Sequence, residues 1–403
     1  MPVASPDLVS ALGESWKSVR QAAFDRALVA PFPSAEEEIW RYSRIDELDL
    51  TAFSPGVSST QIDVPSPSVT VTHIRPDQPV SDATLSGLFD SVAPGDIFSE
   101  LNLAHMDVIV VSVARHVAIA EPVTITHTFD QAGAAYFPRL IVIAEENAEV
   151  TVVERFISPD GCALLVVPIL DTRAAQSARV RYVGINELGD RTWQIAEQRS
   201  AGARDSDSLL ATVALGGDYA RVSTAARLEG IGGNTRQVAL YFAGGNQMHD
   251  FRTLQEHVAP RTTSDLLFKG AVQDTAKSVY TGLIKIHKDA KGSAAFQTNR
   301  NLTLSEGAWA ESVPNLDIET NDVKCSHAST VGPIDEDQLF YLESRGVHPD
   351  VAQRLVVLGF FDEVLAQLPV GGLAESLRLR VSRKLHLEVN NGAVSAKSHG
   401  GAR

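Results

Sequence analysis

Cysteine is close to absent: Cys162 and Cys325 are the only two in 403 residues. Two thiols so far apart exclude a disulfide framework and any Cys-x-x-Cys metal cassette. Basic excess is missing as well, since 35 Lys and Arg face 50 Asp and Glu, a formal charge of −15 that repels phosphate backbones and anionic lipid surfaces. The chain is therefore expected to bind neither nucleic acid nor membrane. Its longest apolar runs, near Leu140–Ala144 and Cys162–Leu170, are far too short to span a bilayer, and the opening around Pro6-Asp7-Leu8 lacks a basic start followed by an apolar core. A cytoplasmic location is expected. Two glycine runs, Gly230-Ile231-Gly232-Gly233-Asn234 and Gly244-Gly245-Asn246, lack the G-x-x-x-x-G-K-[ST] pattern that cradles phosphate, so no nucleotide is expected on this chain.

What is present is an ordinary globular balance, 44% hydrophobic and 21% charged, enough for a sizeable core. The periodicity divides the chain into three parts: a helical region over 1–95, a β-rich body over 96–333 and a second helical region over 334–403. In the first part, Ser5 with Pro6 predicts a helix start, with Leu8, Leu12, Trp16, Val19, Ala23 and Leu28 along one face. After Pro31-Phe32-Pro33, the S-x-x-E run Ser34-Ala35-Glu36-Glu37 predicts a capping box and a second helix carrying Trp40 and Tyr42. The stretch from Ser54 to Pro79 reads as a connector or a weakly paired strand.

From Asp107 the period falls to two residues, as in Val108-Ile109-Val110-Val111 and Val150-Thr151-Val152-Val153, and stays there for more than two hundred residues. A barrel, a sandwich or a solenoid would each satisfy this pattern. Short similar units after residue 260, with Gly270 and Gly282 twelve apart, lean towards a β-helix of stacked rungs. Three helices are predicted after the body: one capped by Asp335-Glu336-Asp337-Gln338 and ended by Gly346, one opening at His348-Pro349-Asp350, and one carrying Leu373, Leu377, Val381 and Leu385.

Chemistry concentrates in Val313-Pro314-Asn315-Leu316-Asp317-Ile318 and in Asn321-Asp322-Val323-Lys324-Cys325-Ser326-His327. On a strand, Cys325 and His327 share a face about 6.7 Å apart, so they could serve one metal site, or be no more than a buried thiol beside a hydrogen-bonded histidine. His249 and His257 read as turn-stabilising polar groups and Cys162 as a core thiol. These segments, together with Gln338-Leu339-Phe340-Tyr341-Leu342, Ser344-Arg345-Gly346, Asp250-Phe251-Arg252-Thr253 with His257, Thr263-Ser264-Asp265 and Glu38-Ile39-Trp40-Arg41-Tyr42, are similar to the signatures of the SufB/SufD family of iron–sulfur cluster assembly scaffolds. The Lys324-Cys325-Ser326-His327 form resembles the SufD branch.

The resemblance implies a right-handed parallel β-helix flanked by helical regions, a non-catalytic scaffold that pairs with a SufB-like paralogue and a SufC-like ABC-type ATPase. A homodimer is the alternative assembly of the isolated chain. It further implies a transient iron–sulfur cluster, or iron, at the subunit interface, with His327 as the ligand candidate from this chain and Cys325 as the weaker one. The helices after Asp335, with the rungs before them, would dock the ATPase. The chemistry is compatible: two distant thiols cannot enclose a four-thiolate cluster, but one imidazole at a subunit boundary can complete a shared site. Two rival readings remain, a SufB-like subunit that accepts sulfur on a thiol, and a β-helical carbohydrate-active enzyme, for which no carboxylate pair can be singled out.

Overall fold

The computed structural model describes residues 2–5, 8, 15–76, 78, 85, 88–89 and 94–392, with side chains to residue 385. Strands from Ser54 to Pro333 form two sheets, of twelve and nine strands, between which the chain passes back and forth. Nearly all pairs are parallel, and this is the mark of a β-helix: each coil lays one strand on each sheet and the next coil stacks on it. The exceptions lie at the N-terminal end, where Ser59–Asp63 runs antiparallel to Val123–Thr128 and Val69–Ile74 antiparallel to Asp107–Val113.

One column shows the register. Tyr182, Leu210, Gln237, Leu266, Gln297 and His327 are successive Cα partners along the nine-stranded sheet, all on its inward face. The coil is thus much longer than the twelve-residue spacing of Gly270 and Gly282, which lie on neighbouring strands of one turn and do not mark the repeat. Their reason is volume. A methyl group at Gly270 would overlap the fully buried ring of Tyr241, and one at Gly282 would overlap Gln297 and the Tyr280 hydroxyl. Gly270→Ala is therefore expected to lower unfolding free energy by about 3 kcal/mol, the upper end for overpacking a well-filled core; a loss below ~0.5 kcal/mol in denaturant titration would contradict this account.

Corners repeat in conformation more than in composition. His116, Asn147, Ser177, Asp205, Gly232, Arg261 and Gly292 all adopt left-handed φ between 53° and 76°. Each donates its backbone N–H to a carbonyl of the next coil, as Asn147 does to Gln176 and Gly232 to Pro260. The glycine runs at 230–233 and 244–245 thus sit in strand-to-strand turns, not at strand-to-helix junctions.

Helices cover the outward faces. Pro349–Leu365 and Leu373–Gly392 press Val357, Phe361, Val364, Leu365, Leu377 and Val381 onto Leu209, Ala211, Val213, Val238, Leu240 and Phe242 of the nine-stranded sheet. Two lysines reinforce the seam: Lys269 Nζ donates to the Phe360 carbonyl at 2.9 Å and Lys384 Nζ to those of Leu215 and Phe242 at 2.7 and 2.5 Å. Asp335 caps the preceding helix, Glu336–Ser344, by accepting from the backbone N–H of Asp337 and Gln338, and Gly346 follows it in the left-handed region at φ 84°. That helix buries no side chain, and Phe340 is 72% exposed. No described helix is long and apolar enough to cross a membrane.

The N-terminal segment departs from the expected helices. The first helix spans Lys17–Val29, with buried Arg20 donating to the carbonyls of Ser15, Ala104 and Met106, while Pro6 and Leu12 lie outside the described residues. Two local hydrogen bonds form near Ser34, whose N–H donates to Glu37 as in a capping box but whose hydroxyl accepts from the Glu36 N–H, not from that of Glu37. They close a turn that leads only to the short 3-10 stretch Glu38–Trp40, and Tyr42 is left-handed at φ 65°. Tertiary anchoring overrides local propensity here. Arg221 lies 3.9 Å from the Trp40 ring and donates to the Ile39 carbonyl, and Arg252 donates to the Arg41 carbonyl, so this segment is strapped flat on the twelve-stranded sheet.

Candidate functional site

The C-terminal end of the β-helix is where the chemistry-bearing residues converge. Val323–Pro333 is the last strand of the nine-stranded sheet and Trp309–Ile318 the last of the twelve-stranded one, and each is paired on one side only. Positions that are buried in every earlier coil become accessible on these two strands. His327 continues the inward column through Gln297 but is exposed, because no further described coil stacks above it. The imidazole lies at the mouth of the β-helix interior.

Cys325 shares that inward face, two residues away. It stacks above Ala295 and packs with Ile284, Ile286 and Ala290, half-buried. Burial pushes its thiol up from the ordinary value, so it holds less thiolate at neutral pH than a free cysteine would. Of the two candidates, His327 has the open approach and Cys325 the apolar setting.

Beneath His327 the interior is polar. Gln297 donates through Nε2 to the Tyr280 hydroxyl, which shares a hydrogen bond of 2.9 Å with Thr253. One step along the strand, Asn299 donates to the Tyr241 hydroxyl at 2.9 Å, and Tyr241 donates to Asn301 at 2.6 Å. Burial raises both tyrosines, so both hydroxyls stay protonated and available as donors. This polar floor escaped the sequence reading, because Phe296-Gln297-Thr298-Asn299-Arg300-Asn301 shows no apolar alternation: the apolar Phe296 faces out, 40% exposed, and the amides face in. An amide at every second position, 297, 299 and 301, was the signal available.

The other histidines belong elsewhere. His257 bridges a turn, with its ring nitrogens 2.7 and 2.8 Å from the hydroxyls of Thr262 and Ser264, in the role expected of it. His249 is instead a fully buried strand residue, its Nε2 at 3.2 Å from the Gly216 carbonyl; burial, with the Lys384 ammonium nearby, holds its pKa down to about 3. Cys162 is a partly buried turn residue at the rim of a separate cluster rather than a core thiol. Among the described residues no three His, Cys, Asp or Glu side chains come together as a metal site. At this end of the β-helix the described residues place one accessible imidazole, with a half-buried thiol two positions away.

The family model for the SufBD core domain of SUF system FeS cluster assembly matches residues 127–360. An iron–sulfur cluster assembly SufBD family protein of Mycobacterium tuberculosis is 35% identical over 367 residues, covering 88% of this chain and 90% of that protein. Iron–sulfur cluster assembly protein SufD of Escherichia coli is 27% identical over 404 residues, 94% of this chain and 95% of its own. SufD of Bacillus subtilis is 31% identical over 278 residues, 68% and 63% of the two chains. With a core-domain match over more than half its length and this degree of identity to its relatives, the chain belongs to the SufBD family of the SUF iron–sulfur cluster assembly system.

Proposed function

We propose that this chain is a cytoplasmic, non-catalytic scaffold subunit that pairs with a SufB-like paralogue and works with a SufC-like ATPase, lending His327 to a nascent iron–sulfur cluster at the shared boundary. The observation that supports this most is the position of His327: exposed on the last strand of an open sheet edge, where a partner's ligands can reach it. An open row of backbone groups is also a ready surface for strand addition by another chain. An imidazole with at most one neighbouring thiol holds a cluster loosely, which suits building and handing on.

The exposed aromatics Phe340 and Tyr341, on a helix that buries none of its own side chains, suit docking of the ATPase on the region from 334 onward. In this reading, closure of the ATPase pulls on the C-terminal helices and shifts the boundary at which His327 stands, which requires different contacts in the two nucleotide states. The test is His327→Ala in the assembled complex, with iron and acid-labile sulfide measured anaerobically. Cluster iron is expected to fall about tenfold or more, since losing even an outer-shell partner of a ligand lowers metal affinity on that scale, whereas Cys325→Ser is expected to cost less. Unchanged iron in His327→Ala removes that residue from the mechanism, and a larger loss in Cys325→Ser reverses the assignment.

A further inference from the structure

We infer that Gln297 is a positioning residue for His327: with the exposed imidazole turned inward, its side-chain oxygen accepts a ring N–H and fixes which nitrogen faces the subunit boundary. This rests on the reading of His327 as a cluster ligand. Gln297 is the register partner of His327 in the coil beneath, on the same inward face. It is 2% exposed, and its Oε1 is buried with no hydrogen-bond partner, so the coil beneath His327 holds an acceptor left unsatisfied. His327 itself makes no hydrogen bond among the described contacts.

The amide cannot turn away freely. Its Nε2 is committed to the Tyr280 hydroxyl, and that hydroxyl is held in turn by Thr253. Gly282 leaves the space both side chains occupy, since any side chain there would displace them. Two residues and a glycine thus fix one acceptor oxygen. Ligating histidines commonly donate their second ring N–H to such an oxygen, which sets the tautomer and raises the basicity of the ligating nitrogen.

The test reads the ring directly. With the full chain labelled in its histidine side chains and free of metal, ¹⁵N spectra at a pH where the ring is neutral are expected to show one dominant tautomer for His327, assigned by its loss in His327→Ala. Gln297→Met removes the acceptor at similar volume and is expected to leave a mixture of tautomers; Gln297→Glu keeps an acceptor oxygen and is expected to restore the single form. In the assembled complex, Gln297→Met is expected to bind iron about tenfold more weakly, with Gln297→Glu recovering most of the loss. A tautomer ratio for Gln297→Met equal to that of the parent chain, with thermal unfolding showing both folded, overturns the proposal. So does a mixture in Gln297→Glu matching that in Gln297→Met. The spectra of the isolated chain need no cluster, so failure there is distinct from failure of His327→Ala to lower iron, which would sink the ligand reading instead.

Discussion

Asp250→Ala is expected to lower the free energy of unfolding by about 3–5 kcal/mol, the cost of stranding buried charge. The carboxylate is fully buried and accepts from Arg252 Nε at 2.7 Å, Arg221 Nη1 at 2.5 Å and the Tyr219 hydroxyl at 2.8 Å. Removing it leaves two guanidinium groups facing each other out of water. The same two arginines hold the carbonyls of Ile39 and Arg41, so hydrogen exchange over residues 38–44 should accelerate before the coils open. Burial alone would raise the Asp250 carboxyl, but Arg221 and Arg252 outweigh it and set the pKa below its ordinary value. Because the folded value lies below the unfolded one, this stabilisation is complete above about pH 4, the unfolded carboxylate range, and is lost as pH falls through the depressed folded value. The gap between parent and variant should therefore narrow on acidification below that point; a constant gap in acid would refute the assignment.

Phe361→Ala should cost about as much, roughly 3–5 kcal/mol, by leaving a cavity where a fully buried ring joins the C-terminal helices to the nine-stranded sheet. The loss should be local in character. Helix Pro349–Leu365 meets the sheet through this ring, its aliphatic neighbours and the Lys269 contact, while the coil strands beneath retain their own parallel ladders. Amide exchange in the helices is expected to rise well above that of strand Asn234–Ala243. Equal loss of protection in both would show that helices and solenoid unfold as a single cooperative unit.

The fold class was legible because β-branched residues recur at two-residue steps over so long a stretch that few architectures can use them. The repeat was not, and the corners show why: a left-handed turn is filled by His116, Asn147, Ser177, Asp205, Gly232, Arg261 and Gly292 in turn, so the backbone repeats while the residue type does not. Strand lengths and turns also vary from coil to coil, which blurs any fixed period. The second N-terminal helix was predicted from a capping pattern of which one hydrogen bond forms, yet Arg221 and Arg252 lie some two hundred residues away in sequence and hold the segment in another conformation. For the site, the shared face of Cys325 and His327 followed from strand geometry. The amide floor beneath did not, because polar residues at inward positions defy the pattern by which inward faces are recognised.

Since the successive coils stack in parallel ladders, the body gains height in whole turns. Inserting a single residue in mid-strand just before Gln297 would swap inner and outer side chains to the end of that strand, placing Gln297 and its neighbours in solvent. Inserting a complete turn would leave every column intact and simply move the terminal histidine outward by about 4.8 Å. The solenoid is thus a graduated spacer: the separation between its first coils and its open end is available to evolution, or to an engineer, in steps of one coil, with the terminal chemistry carried along unaltered.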